Sequence, residues 1–279
     1  VEITEPSSLE IDAGGVGPYG RSILLTHGAA APKVFVLLHG LSASPRQFLE
    51  LGSRLFERGS NVLIPRLPRH GHEDRLTTAL RDLTAEELAT FARETLATAR
   101  DLGGEVVVVG FSLGGLLAAW IAQHETVDRV VAIAPFLGFS FLPGRRLTRR
   151  FTAAALSLPN RFLWWHPLLR ERLLPSHGYP RYATHAVAQA YRLAQELFRA
   201  AGERAPATRD ISFVLNSSEL VVNNRSAARL AGLWRASAPG SVDVQRLDRL
   251  PPSHDIIEPL GPSWVVPLVY PTLEGILNR

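Results

Sequence analysis

Residues Glu105–His124 read EVVVVGFSLGGLLAAWIAQH. Val106–Val109 is an unbroken β-branched run, strand-sized and apolar on both faces, as a strand inside a parallel sheet must be. Leu113–His124 follows directly with the composition and length of a helix. Between them lies Gly110-Phe111-Ser112-Leu113-Gly114, then Gly115. A chain that passes from strand to helix in so few residues forces the residue at the bend into a strained conformation, and small neighbours let adjoining backbone come close. The bend would hold the Ser112 hydroxyl above the sheet at a helix N-terminus, where the dipole favours developing negative charge. The bland alternative is a glycine-rich strand–helix turn. The strand, motif and helix in that order favour a nucleophilic serine.

Outward from this stretch the chain alternates short apolar runs with helical patterns. Ser22–Thr26, Val34–Leu38, Asn61–Pro65, Arg129–Ala134, Ile211–Asn216 and Val242–Leu247 read as strands. Phe48–Arg58, Thr84–Leu102, Ser226–Ser237 and Trp264–Leu277 read as helices, with Thr84 and Glu87 in capping-box spacing. This is the pattern of βαβ units: an α/β fold with a mostly parallel, doubly wound sheet. Phe136–Ala205 departs from it. It holds helical stretches at Leu147–Leu158 and Ala183–Ala201 and no convincing buried strand. Residues 1–135 and 206–279 are therefore expected to form the core, and 136–205 a helical insertion. The aromatics Phe136, Phe139, Phe141, Phe162, Trp164 and Trp165 could line an acyl pocket or form the insertion's own small core.

These motifs resemble the α/β-hydrolase family, in particular its bacterial carboxylesterase and monoacylglycerol-lipase-like members. Val34–Phe48 (VFVLLHGLSASPRQF) is similar to the family's segment after its third strand, where His-Gly precedes an oxyanion residue. Asn61–His72 (NVLIPRLPRHGH) resembles the next strand and loop. With the serine bend and the C-terminal segments, the resemblance covers most of the chain outside the insertion. It implies an oxyanion hole from the backbone N–H groups of Leu41 and Leu113, a lid formed by the insertion, and a structural role for His39. Fixed backbone donors of this kind stabilise an oxyanion without reorganising.

A serine hydroxyl is a weak nucleophile and needs a general base. The chain has nine histidines. His254, in Pro251-Pro252-Ser253-His254-Asp255, stands between the last strand and the last helix. It is the only histidine after Ser112 outside the insertion and the helix that follows the serine. The family's order of nucleophile, acid and histidine makes it the expected base. The acid is expected after Ile211–Leu215, where relatives usually carry Asp three residues before a Val. Here Glu219 stands at that place, before Val222. Glutamate can orient an imidazole, although its extra methylene asks the loop to sit further back. The alternatives are a solvated loop glutamate, with Asp248 or Asp255 as the acid.

Together these residues point to a carboxylic-ester hydrolase acting through an acyl-enzyme on a short- to medium-chain or monoacylglycerol-type ester. Thioesterase, perhydrolase or C–C hydrolase chemistry on the same residues is the near rival. A non-catalytic binding protein on the same fold is the distant one.

Other classes find little support. A net charge of +4 invites nucleic acid, but the basic residues are scattered. The densest group, Arg145, Arg146, Arg149 and Arg150, reads as a solvated helix face. No P-loop or dinucleotide fingerprint occurs, so no cofactor is expected, and the partner is a small-molecule ester. His70 and His72 lack a third ligand at a recognisable spacing, so no metal is expected. No apolar run reaches the ~18 residues of a membrane span, which leads us to expect a soluble chain. It has no cysteine and no methionine. The missing methionine implies a processed or trimmed start, compatible with a cytoplasmic protein or an exported one.

Overall fold

The computed structural model describes residues 15–140, 145–170, 177–261 and 265–279, with the backbone alone at 145–149 and 151. Phe141, Trp264 and the side chains of Arg145, Arg146 and Arg149 lie outside what is described; Arg150 is exposed.

The core is a seven-stranded sheet. Its strands are β1 (Ile23–Leu25), β2 (Ala31–Leu38), β3 (Asn61–Ile64), β4 (Gly103–Phe111), β5 (Arg129–Ile133), β8 (Ile211–Asn216) and β9 (Val242–Leu247). They lie side by side as β1-β3-β2-β4-β5-β8-β9, and only β1 runs antiparallel to its neighbour. β4 is central, and Val107, Val108 and Val109 are fully buried, as their β-branched run requires. Around the sheet pack α1 (Leu49–Glu57), α2 (Ala85–Arg100), α3 (Leu113–His124), α6 (Asn224–Ser237) and α7 (Val266–Leu277). The chain belongs to the α/β class the alternation implied, with a mostly parallel sheet flanked by helices.

β5 and β8 pair directly, Val130 opposite Ile211, so the residues between them leave the sheet unbroken. That intervening stretch carries α4 (Arg145–Ser157), α5 (Thr184–Glu203) and a two-stranded antiparallel ribbon, β6 (Phe162–Trp164) with β7 (Arg181–Ala183). The ribbon has no counterpart among the strands expected from sequence. Strands of three residues, mostly half-buried, are too short to show a period. α5 buries Ala186, Ala190, Tyr191, Ala194 and Leu197, and Glu196 on it accepts a hydrogen bond from the Trp120 indole of α3 at 3.0 Å.

Thr84 caps α2 by accepting from Glu87 N–H. The reciprocal half of the capping box is replaced: the Glu87 carboxylate takes the Arg69 guanidinium at 3.0 Å, a charge-assisted bond. Among the described residues no helix is long and apolar enough to cross a membrane.

Candidate active site

β4 ends at Phe111 and α3 begins at Leu113, so Ser112 alone makes the bend, with φ 54° and ψ −110°. A non-glycine residue at positive φ is strained, and persists where its surroundings over-determine it. They do so here. Ser112 N–H donates to Ile133 O at 3.0 Å, and Ser112 O accepts from Leu116 N–H and Phe136 N–H at 2.9 Å. The flanking glycines are steric necessities. A Cβ on Gly110 would stand 2.0 Å from Gly114 O, and one on Gly114 would stand 1.9 Å from Leu38 O.

Ser112 Oγ is 2.8 Å from His254 Nε2, and His254 Nδ1 is 2.8 Å from Glu219 Oε2. An ionised carboxylate only accepts, so the Glu219 contact places the ring proton on Nδ1. Nε2 then has a lone pair to receive the Ser112 proton. The Glu219 side chain is wholly buried, whereas the His254 side chain keeps 21% exposure. Glu219 accommodates its extra methylene by folding back: Oε1 accepts Val221 N–H at 2.7 Å and, more weakly, Val222 N–H at 3.4 Å. This self-capped turn frees Oε2 for the ring. Neither fallback acid is hydrogen-bonded to that ring. Asp248 accepts from the Ser217 hydroxyl at 2.6 Å, and Asp255 from the Gln47 amide at 2.7 Å.

The chain reaches this place from four strand ends: β2 leads to Leu41, β4 to Ser112, β8 to Glu219 and β9 to His254. All are carboxyl ends of parallel strands, the edge at which open α/β sheets gather their sites. Among the described residues neither Leu41 N–H nor Leu113 N–H has a backbone acceptor. The Gly40–Leu41 peptide is held from behind by His39. Its Nε2 accepts Leu67 N–H at 3.2 Å, which leaves Nδ1–H to donate to Gly40 O at 2.9 Å. Burial, with His70 adding to it, pushes the His39 pKa well below its ordinary value, so the ring is neutral and this tautomer fixed. His70 faces two backbone carbonyls, Pro68 O with Nδ1 and Leu41 O with Nε2, each at 2.8 Å; burial lowers its pKa to about 4, so the ring is neutral and its single N–H donates to one of the two.

The stretch between β5 and β8 leans on the loop that follows β2. Tyr179 N–H donates to Ser42 O at 2.8 Å, the Trp165 indole donates to Ser42 Oγ, and the Tyr179 hydroxyl accepts His72 N–H at 2.8 Å. Phe136 and Phe139 stack edge-on against Tyr191, an aromatic knot that ties the segment just after β5 to α5. A groove of about 1780 Å³ along α5 and α6 includes Glu219 in its lining but neither Ser112 nor His254. One partner in the site gave no sign in the sequence. Gln47 is 1% exposed and bonded to both Gly40 and Asp255, yet in SPRQF it looks like any polar residue entering a helix.

No curated protein sequence matches the chain. Solved structures share its fold at low identity. A monoacylglycerol lipase from Paleococcus ferrophilus is 15% identical with a TM-score of 0.69, over 92% of this chain and 98% of that one. A monoglyceride lipase from Saccharomyces cerevisiae is 12% identical with a TM-score of 0.69, over 92% and 90%. A structure from the metagenome-derived lipolytic enzymes LipS and LipT is 15% identical with a TM-score of 0.64, over 95% and 100%. The sequence model of the alpha/beta hydrolase family matches residues 35–269, from the second strand of the sheet into its last helix. The chain thus belongs to the alpha/beta hydrolase family.

Proposed function

We propose that this chain is a serine carboxylic-ester hydrolase working through an acyl-enzyme, with Ser112 as nucleophile, His254 as base and Glu219 as acid. The observation that carries the proposal is the imidazole held 2.8 Å from both the Ser112 hydroxyl and the Glu219 carboxylate. Ser112 Oγ attacks the ester carbonyl while His254 Nε2 takes its proton. The oxyanion is received by the N–H groups of Leu41 and Leu113. Collapse expels the alcohol, which leaves with the proton from Nε2. Water then repeats the sequence on the acyl-enzyme and releases the acid. Glu219 keeps the ring in the productive tautomer and opposes the positive charge it acquires.

We infer a short- to medium-chain or monoacylglycerol-type ester as substrate. The likeness in fold to lipases supports this, as does a serine only 8% exposed, which asks for a substrate that leaves water. In this reading residues 136–205 form a lid above a core of 1–135 and 206–279, resting on the Ser42 loop through Tyr179 and Trp165.

The test is a chain-length series of p-nitrophenyl esters, with matched thioesters, on wild type and Ser112→Ala. The expected result is an optimum at short or medium acyl length, abolished in the variant. Preference for the thioester would move the chain to thioesterase chemistry. Background rates throughout would favour a binding protein.

A further inference from the structure

The oxyanion loop and the histidine loop come from opposite halves of the chain, and one buried amide joins them. Gln47, in the 3-10 turn Pro45–Phe48, accepts Gly40 N–H on Oε1 at 3.0 Å. Its Nε2 donates to Asp255 Oδ2 at 2.7 Å. The other Asp255 oxygen closes the turn after His254 by accepting Glu258 N–H at 3.1 Å and Ile257 N–H at 3.3 Å. Gly40 is therefore gripped at both ends, its N–H by Gln47 and its carbonyl by His39. That carbonyl belongs to the peptide whose N–H is Leu41's.

From this we propose that Gln47 and Asp255 form a positioning bridge that sets the distance between the Leu41 oxyanion donor and the His254 base. The inference rests on the ester-hydrolase reading above. Neither residue touches the reacting atoms. The bridge works because its polarity is single-valued: Gly40 N–H only donates and an ionised Asp255 only accepts, so the amide has one orientation. A displacement of about 1 Å between the groups that meet a transition state can cost about 100-fold.

That polarity supplies the test. In Gln47→Glu, one carboxylate oxygen still accepts Gly40 N–H while the other opposes Asp255, so the two acids must share a proton. In Asp255→Asn, the amide oxygen stays with the two backbone N–H groups and its NH2 faces the Gln47 NH2. Each single change puts like groups together. The double variant Gln47→Glu/Asp255→Asn exchanges donor and acceptor and restores every bond.

The experiment measures kcat and KM on p-nitrophenyl butyrate, the rate of fluorophosphonate inactivation, and thermal unfolding, for wild type, both singles and the double. Each single should lose about 10- to 100-fold in kcat with KM nearly unmoved. The deficit of Gln47→Glu relative to wild type at the same pH should narrow on acidification, and the double variant should regain most of kcat at neutral pH. Should a single fail to fold, a folded double with near wild-type kcat supports the bridge equally. Singles within about twofold of wild type, or a double no better than the worse single, overturn the bridge while leaving the ester-hydrolase reading intact. A wild type inert to both ester and fluorophosphonate overturns both.

Discussion

Glu219→Gln is the sharpest probe of the proposed acid, because the backbone around it dictates which way the new amide turns. Oε1 of Glu219 accepts Val221 N–H at 2.7 Å, and a backbone N–H can only donate. The oxygen of the introduced amide is thereby drawn to Val221, and its NH2 is turned onto His254 Nδ1. Nδ1 must then accept, the ring proton moves to Nε2, and Nε2 presents a donor to Ser112 Oγ in place of a base. In a serine protease the same tautomer error costs about 10⁴-fold in kcat, or roughly 5 kcal/mol. An escape exists. The amide can flip, keep the correct tautomer and oppose its NH2 to Val221 N–H, at about 1–3 kcal/mol for the unsatisfied donor. Replacing a charge-assisted bond to the imidazolium by a neutral one adds about 1 kcal/mol more. The flip is cheaper than the wrong tautomer and so carries the residual activity, and its cost of about 2–4 kcal/mol sets the expected loss at about 30- to 1,000-fold in kcat. Glu219→Asp keeps the charge but not the reach to both partners, and should lose about 10-fold. The assay is kcat on p-nitrophenyl butyrate with active-site titration, alongside thermal unfolding. A Glu219→Gln enzyme within about threefold of wild type, with Asp248→Asn falling by hundreds, would hand the acid's role to Asp248 and sink this assignment.

Other outcomes follow from the same structure. Gly114→Ala puts a methyl 1.9 Å from Leu38 O and should cost about 3 kcal/mol in urea unfolding. Gly232→Ala, within α6 and with open space around the new methyl, should stabilise by about 0.5–1 kcal/mol. His70, lowered to about 4, is neutral in the fold but titrates near 6.5 when unfolded. Its contribution is complete above pH 6.5 and is lost as pH falls toward 4, by about 3 kcal/mol in all. Asp255, raised to about 6 by burial and then by Glu258, runs the opposite way: its ionisation costs stability above pH 6, and that cost fades toward pH 4. Unfolding measured at pH 7 and pH 5 should therefore show a smaller acid loss in His70→Gln and a larger one in Asp255→Asn. Equal pH dependence in the two variants would contradict this assignment.

The centre of the sheet was legible because strands such as β4 are buried on both faces and so read as unbroken apolar runs; β8 and the half-buried edge strand β9 match their expected limits residue for residue. The serine bend was legible because glycines are compulsory there, as the 1.9 and 2.0 Å approaches to backbone oxygens explain. The β6–β7 ribbon was not, since strands of three residues are too short to show a period. The partner of Glu87 was missed because Arg69 is close only in space. Gln47 was hidden for a related reason. Its importance lies in two bonds, to Gly40 and to Asp255 far along the chain, and pairing at that range leaves no local pattern. The expectation for Glu219 came from its place after β8. The self-capping at Val221 that suits the longer side chain to the ring depends on the backbone path of the turn, which the residue types alone do not specify.

The most direct measurement is intact-mass analysis after exposure to a fluorophosphonate, followed by peptide mapping. One adduct per chain is expected, carried by Ser112, absent from Ser112→Ala and formed far more slowly in His254→Ala. No adduct on folded wild type, or one that survives in Ser112→Ala, would contradict a nucleophilic Ser112.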